Sequence, residues 1–375
     1  MNLLAPSGGD LSHRGVLPIL FLVLFSSACI GENGEKKGGE RIVINGAGAS
    51  FPYPLIAKWA EEYKKVSQGR VIVNYQSIGS GGGIRQMIER SIDFGASDVP
   101  MSPEEYTKAK GTVLHIPEAI GAVVIIYNLP GIKGRLKLDG EAISKIYLGE
   151  IDRWDDPLLK KLNPEIDLPS ERIVVVKRAD SSGTTFIFTD YLSSVSERWS
   201  KEIGRGKNFP FTKEIGDRGV QAKGNEGVTA AVKQNPYSIG YVELTYAIQN
   251  KLVHALLMNR EENFVEANLE TISSAALNSI EELPEWNESW YGFSIVNAPG
   301  ERSYPMSSFT YILLYQDLSY MPEEKAKALV DFLEWVLTEG QKYCEPLGYV
   351  PLPEEVVKRN LEAISKVRVS EDEGR

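Results

Sequence analysis

Cysteine is nearly absent from this chain of 375 residues: Cys29 and Cys344 allow one disulfide by arithmetic and no disulfide framework. Histidine is almost as rare. His13, His115 and His254 are scattered, so neither a Cys/His zinc set nor a histidine-based catalytic array is expected, and no cofactor is implied. Basic residues are in deficit, with Lys+Arg 41 against Asp+Glu 51, a formal net charge of -10. That balance argues against nucleic acid or an anionic membrane as the main partner. It does not argue against a small anion, because a site can be locally positive on an acidic protein. Fixed-period repeats and long low-complexity linkers are also missing, so composition marks no domain boundary. What remains is 42% hydrophobic and 25% charged residues, a globular balance, over a length that exceeds one ordinary core and predicts two domains.

The apolar run at 16–25 is short of the roughly 20 residues a membrane span needs. It follows His13 and Arg14 and precedes Ser26-Ser27-Ala28-Cys29, the layout of an export signal with a small-residue cleavage zone. A cysteine directly after small residues resembles a lipoprotein processing site, although Ser26 stands where leucine is usual. The reading is a signal peptide over 1–28, lipidation of Cys29, and a polar, glycine-rich tether over 29–40. The protein is thus expected outside the cytoplasm, held on the outer face of the cell membrane. An ordinary secretory signal with an incidental cysteine is the alternative.

The rest of the chain alternates β-branched runs with amphipathic stretches, which reads as α/β. Strands are expected at 41–45, 71–75 and 173–176. A helix is expected at 54–66, with Leu55, Ile56, Trp59, Ala60 and Tyr63 on one face, and others carry Ile84, Met87 and Ile88, or span 183–192. Leu329, Phe332, Leu333 and Val336 form a last stripe, closed by Gly340.

Three strand exits that lead into helices are rich in Gly, Ser and Thr: 46–51, 77–83 and 180–185. A helix start leaves backbone N–H groups unpaired and partly positive, glycine admits close approach, and hydroxyls add donors. Several such starts together suit a small oxyanion held without a metal. Any one of them alone reads equally as a helix cap. Arg178-Ala179-Asp180 places a guanidinium and a carboxylate beside the third turn, and arginine suits bidentate oxyanion recognition. Asp98 closes the small-residue loop Gly95-Ala96-Ser97-Asp98. A carboxylate there could accept a hydrogen bond from a protonated anion such as phosphate, whereas sulfate has no proton to give. The plainer reading of Asp98 is a turn or capping residue. Lys177 is expected to face solvent, His115 to be structural, and Cys344 to be a buried single thiol.

These motifs together resemble the phosphate-binding component of Pst-type phosphate ABC importers, a periplasmic-type solute-binding protein. The resemblance runs from Gly46 to about Pro353. It includes Gly-Ala-Gly-Ala-Ser-Phe-Pro at 46–52, Ala-Lys-Trp-Ala at 57–60, Gly-Ala-Ser-Asp at 95–98 and Tyr-Leu-Gly-Glu-Ile at 147–151. It continues through Trp154-Asp155-Asp156, Arg178 to Thr184, Lys223-Gly224-Asn225 and Ile239 to Glu243. Ser50 replaces a frequent threonine, and Ser181 a common glycine.

The resemblance implies a type II fold of two α/β lobes, each a sheet flanked by helices, joined by two hinge crossovers near Asn128 and Ser303, with the ligand in the cleft. One lobe would combine 41–127 with 304–375 and the other would span 128–303. It implies phosphate contacts from Ser50, Phe51, Ser80, Asp98, Arg178, Asp180, Ser182, Gly183 and Thr184, with Asp98 accepting the phosphate proton. It further implies a monomer that closes on phosphate and docks on the permease and ATPase subunits of an importer. A binding protein for another oxyanion, an enzyme such as a phosphatase with Ser80 or Ser182 as nucleophile, and a secreted phosphate-signalling or adhesion module without a transporter are the competing readings. The second lacks a histidine or a metal-binding carboxylate cluster in the donor turns.

Overall fold

The computed structural model describes residues 41–285 and 288–370. The expected signal peptide, Cys29 and the tether lie outside the described residues. Among the described residues, no helix is long and apolar enough to cross a membrane.

Strand β1 (Ile42–Gly48) leads into α1 (Tyr53–Val66), whose apolar stripe buries Leu55, Ile56, Trp59 and Tyr63. Each such side chain contributes roughly 1.5–3 kcal/mol of transfer free energy. Trp59 Nε1 also donates to the Gly340 carbonyl at 2.8 Å, tying α1 to the C-terminal region. Then come β2 (Val71–Ser77), α2 (Ser80–Glu89), β3 (Phe94–Ser97) and α3 (Pro103–Thr107), which opens on a Ser102–Glu105 capping box. Strand β4 (Val113–Asn128) is buried along nearly all of its 16 residues.

The chain continues through β5 (Lys137–Leu138), α4 (Gly140–Leu148), α5 (Pro157–Leu162), β6 (Val174–Arg178), α6 (Gly183–Val195) and α7 (Glu197–Glu202). Next are β7 (Gly219–Ala222), α8 (Gly224–Gln234), β8 (Ser238–Glu243), α9 (Leu244–Gln249), β9 (Leu256–Met258), β10 (Phe264–Val265) and α10 (Leu269–Leu277). It returns through β11 (Ser307–Tyr315), α11 (Glu323–Leu337) and α12 (Glu354–Ser365). The expected elements are thus present, most of them longer than their apolar cores suggested, and the stripe of Leu329, Phe332, Leu333 and Val336 is the buried face of α11.

One eight-stranded sheet has the order β2-β1-β3-β11-β4-β8-β6-β7, and a small one the order β10-β9-β5. Within the large sheet β1 pairs in parallel with β2 and β3, and β6 with β7 and β8, so the C-terminal ends of each group open in one direction onto helix starts. The groups meet on β4. Its residues 113–122 pair antiparallel with β11 and its residues 123–128 with β8. The change of partner falls between Ala122 and Val123, ahead of Asn128. The return lies just before β11, where Val123 N–H donates to the Met306 carbonyl at 2.9 Å. The α/β architecture is therefore two halves, each a sheet with helices on its faces, sharing one continuous strand.

Candidate functional site

The strand exits named from the sequence all end at one place. Strand β1 delivers Ser50 and Phe51 ahead of α1, and β2 delivers Gly79 ahead of α2, which starts at Ser80. Strand β3 ends at Ser97 and delivers Asp98, and β6 ends at Arg178, from which Asp180 to Ser182 lead into α6 at Gly183. A fourth helix start, that of α8 after β7, joins them. Space between the halves is tight. A Cβ on Gly79, which has φ +82, would lie 2.4 Å from Asp180 Oδ2, and a Cβ on Gly183 would lie 2.5 Å from Ser80 Oγ. Glycine is required at both by the approach of the opposite half.

Arg178 is buried, with a relative exposure of 1%. Its Nε donates to Asp180 Oδ1 at 2.8 Å and its Nη2 to Asp180 Oδ2 at 2.6 Å. Its Nη1 is buried with no hydrogen-bond partner among the described residues. Asp180 Oδ1 also accepts from Gly224 N–H at 3.1 Å. Burial alone would raise the Asp180 carboxyl, but the paired Arg178 bonds and charge outweigh it and hold it below its ordinary value. The carboxylate therefore fixes the guanidinium and leaves one edge of the fork for something else.

Ser80 Oγ accepts from Gly183 N–H at 3.1 Å across the halves and from Asp98 N–H at 3.3 Å. Asp98 is 3% exposed, and its Oδ1 accepts from Thr310 Oγ1 at 3.1 Å. Burial pushes the Asp98 carboxyl up to about 7, against the pull of Thr310, the Arg178 charge and Ser80. Thr310 Oγ1 also lies 3.1 Å from Oε1 of Glu118, a wholly buried residue. These two come together through a register shift: Thr310 pairs with Ala119 and Tyr311 with Pro117, so Glu118 is the extra residue of a bulge.

On the other side, Ser50 Oγ accepts from Asn225 N–H at 3.2 Å and Asn225 Nδ2 at 3.0 Å, and the Ser50 carbonyl accepts from Tyr246 OH at 2.6 Å. The Asn225 amide also donates to Thr184 Oγ1 at 3.2 Å. Phe51 is wholly buried, and its carbonyl accepts from Tyr349 OH at 2.7 Å. Ser182 caps α6, its Oγ accepting from Thr185 N–H at 3.0 Å. Gly81 N–H reaches the Ser181 carbonyl at 3.0 Å, and Lys207 is paired with Glu105 from the facing half.

All nine expected site residues thus lie in this junction. Thr310, Glu118 and Tyr246 were not anticipated, and Asn225 was noticed only within a motif. Pro117-Glu118, a proline and a carboxyl interrupting an apolar strand, was the one visible signal. Lys177 is corrected: it is 2% exposed, donating to the Phe209 carbonyl at 2.6 Å and covered by the Phe209 and Phe211 rings, because the loop after α7 folds over β6. His115 is structural, accepting from Met101 N–H at 3.0 Å, and Cys344 is a buried free thiol. Among the described residues no group of His, Cys, Asp and Glu could hold a metal ion. The groups gathered here are mostly donors: one cation fixed by the Asp180 carboxylate, hydroxyls and helix starts, with the Asp98 carboxyl beside them and Glu118 behind Thr310.

Known proteins of the same build carry the comparison further. The sequence matches the PBP superfamily domain over residues 33–339. It is 42% identical to the phosphate-binding protein PstS of Pasteurella multocida over 95% of this chain and 97% of that one. It is 41% identical to the PstS of Methanocaldococcus jannaschii over 97% and 98%. Two solved structures share the fold at 19% identity, each covering 84% of this chain and 92% of the other. They are PfluDING, a periplasmic phosphate-binding protein solved with phosphate bound, at a TM-score of 0.66, and a phosphate-binding protein from Stenotrophomonas maltophilia, at 0.58. The chain belongs to the PBP superfamily and, within it, to the family of the phosphate-binding proteins PstS.

Proposed function

We propose that this protein captures inorganic phosphate outside the cytoplasm and delivers it to an ABC importer, as a binding protein and not as an enzyme. The observation that carries the reading is Arg178 Nη1, a buried guanidinium nitrogen without a hydrogen-bond partner among the described residues. It stands among helix starts whose N–H groups have no intrahelical acceptor. Phosphate would take Arg178, the hydroxyls of Ser50, Ser80, Ser182 and Thr184, and main-chain N–H groups around Phe51, Gly183 and Thr184. Asp180 would act only by holding Arg178.

Asp98 decides which oxyanion fits. As an ionised carboxylate it accepts, and at neutral pH phosphate still carries a proton to donate. Sulfate would leave two unprotonated oxygens facing each other in a buried site, a loss of several kcal/mol, on the order that desolvated unpaired groups cost. The lobes would divide where β4 changes partners, giving one lobe from 41–122 with the segment from β11 onward and a second between them. Bonds across the junction, Ser50 to Asn225 and Ser80 to Gly183, would form on closure. Export, a lipid on Cys29, a monomeric state and docking on a permease with its ATPase complete the proposal.

The test is calorimetric titration of the protein stripped of bound anion. Tight one-to-one phosphate binding without a sulfate response is expected. No phosphate binding, or an equal response to both, would overturn the ligand assignment.

A further inference from the structure

Asn225 opens α8 with its side chain wholly buried, and the direction of its amide is fixed by its neighbours. Asn225 Oδ1 accepts from Glu243 N–H at 3.0 Å, so the atom on the other side must be the nitrogen, with two hydrogens. That nitrogen lies 3.0 Å from Ser50 Oγ and 3.2 Å from Thr184 Oγ1, and the Asn225 backbone N–H adds a second bond to Ser50 Oγ at 3.2 Å. A hydroxyl has two lone pairs and one proton. Ser50 therefore has both lone pairs engaged and only its proton left to give, and Thr184 is likewise turned to accept from Asn225. No hydrogen bond among the described residues takes either proton. Ser50 belongs to the half that contains β1, and Thr184 and Asn225 to the half that contains β6.

We propose that Asn225 is a positioning residue for anion capture: by donating to both hydroxyls across the junction, it commits Ser50 and Thr184 to donate to the anion. The inference rests on the phosphate reading and adds to it a residue that acts through two others. It also couples direction to closure, because the bonds to Ser50 exist only when the halves are together. An open protein leaves the Ser50 hydroxyl free to turn toward water, and closure restores it as a donor.

A packing role and a directing role predict opposite orders for two substitutions. N225A removes the director but lets the hydroxyls turn as the anion demands. N225D keeps the shape but offers only acceptors, so it draws both protons away from the anion. Phosphate affinity, read by calorimetry, is expected to fall about 3- to 10-fold in N225A and by about 100-fold or more in N225D. The added charge of N225D is separated out in an S50A/T184V background, where there is no proton to misdirect and its cost should shrink to about tenfold or less. If N225D does not fold, the cycle of N225A with S50A still decides, since the two losses should be less than additive. Wild type failing to bind phosphate would sink the underlying reading. Wild type binding phosphate, with N225A costing as much as N225D, an N225D cost equal in both backgrounds, or additive N225A and S50A losses, would overturn the role of Asn225 alone.

Discussion

Thr310 has one hydroxyl proton and two buried carboxyls to give it to. Its oxygen lies 3.1 Å from both Asp98 and Glu118, so one of those carboxyls must carry a proton and donate in return. Asp98 has the Arg178 charge and Ser80 in its favour as an anion. Glu118 has burial and the Asp98 charge against it, which push its carboxyl up to about 8, and its Oε2 has no partner among the described residues. The proton therefore sits on Glu118, which donates to Thr310, which donates to Asp98. The sign of the linkage follows. The unfolded chain releases this proton near the ordinary value of 4.5, and the native state holds it up to about 8. The contribution to stability is full below the lower value and is lost as pH rises through the upper one. E118Q keeps a donor toward Thr310 and removes the titration. Its stability relative to wild type should rise by about 4 kcal/mol between pH about 4.5 and pH about 8.5, read by urea unfolding at several pH values. A constant difference across that range would place the proton elsewhere. Residues of this kind were the least legible. Arg178, Asp180 and Asp98 sit in local patterns that name them, whereas Thr310 is an ordinary strand threonine until β11 lies beside a bulge nearly two hundred positions away. Lys177 was misjudged for the same reason: what covers it comes from a different segment.

At the scale of elements, hydrophobic period and turn chemistry located the strands and helices around the site, because each is decided by a few neighbouring residues. Gly-Ser-Thr exits marked three helix starts, and α8 was passed over because Lys223-Gly224-Asn225 is a shorter and less hydroxyl-rich version. The glycines of these exits answer to the facing half as much as to their own turn. Gly79 combines a left-handed φ of +82 with a Cβ position 2.4 Å from Asp180 Oδ2 and 2.8 Å from the Ser181 carbonyl. A methyl group there strains the turn by about 1 kcal/mol and obstructs the approach of the second half. G79A is therefore expected to lower phosphate affinity about tenfold or more while the thermal midpoint without ligand falls only by a few degrees. An unchanged affinity would mean that the junction accommodates a side chain at that turn. A collapse of stability without ligand would mean that the turn itself, and not the approach, demands glycine.

Across the whole molecule, the feature hardest to read in advance was where one half ends. Strand β4 is largely apolar apart from His115 and Glu118 in its first half, and nothing at Ala122–Val123 marks the change from residues that pair with β11 to those that pair with β8. A boundary set by partners has no local signature. On the proposed closure the same strand would let the halves move without breaking a core, since it passes between them as a continuous element while the contacts proposed to change, Ser50 with Asn225 and Ser80 with Gly183, are a few hydrogen bonds at the junction. In the proposed reading the molecule would convert the protonation of a small anion into closure, and Asp98 would be where that proton is read. The most direct measurement is the ratio of phosphate to sulfate affinity as a function of pH, for wild type and D98N. Wild type should prefer phosphate strongly above neutrality and lose preference as pH falls through about 7, where Asp98 gains a proton and can itself donate to sulfate. D98N, whose amide donates at every pH, should show a ratio lower by about 100-fold or more at alkaline pH and nearly flat with acidification. A wild-type ratio that does not change with pH, together with an equal ratio in D98N, would contradict the account.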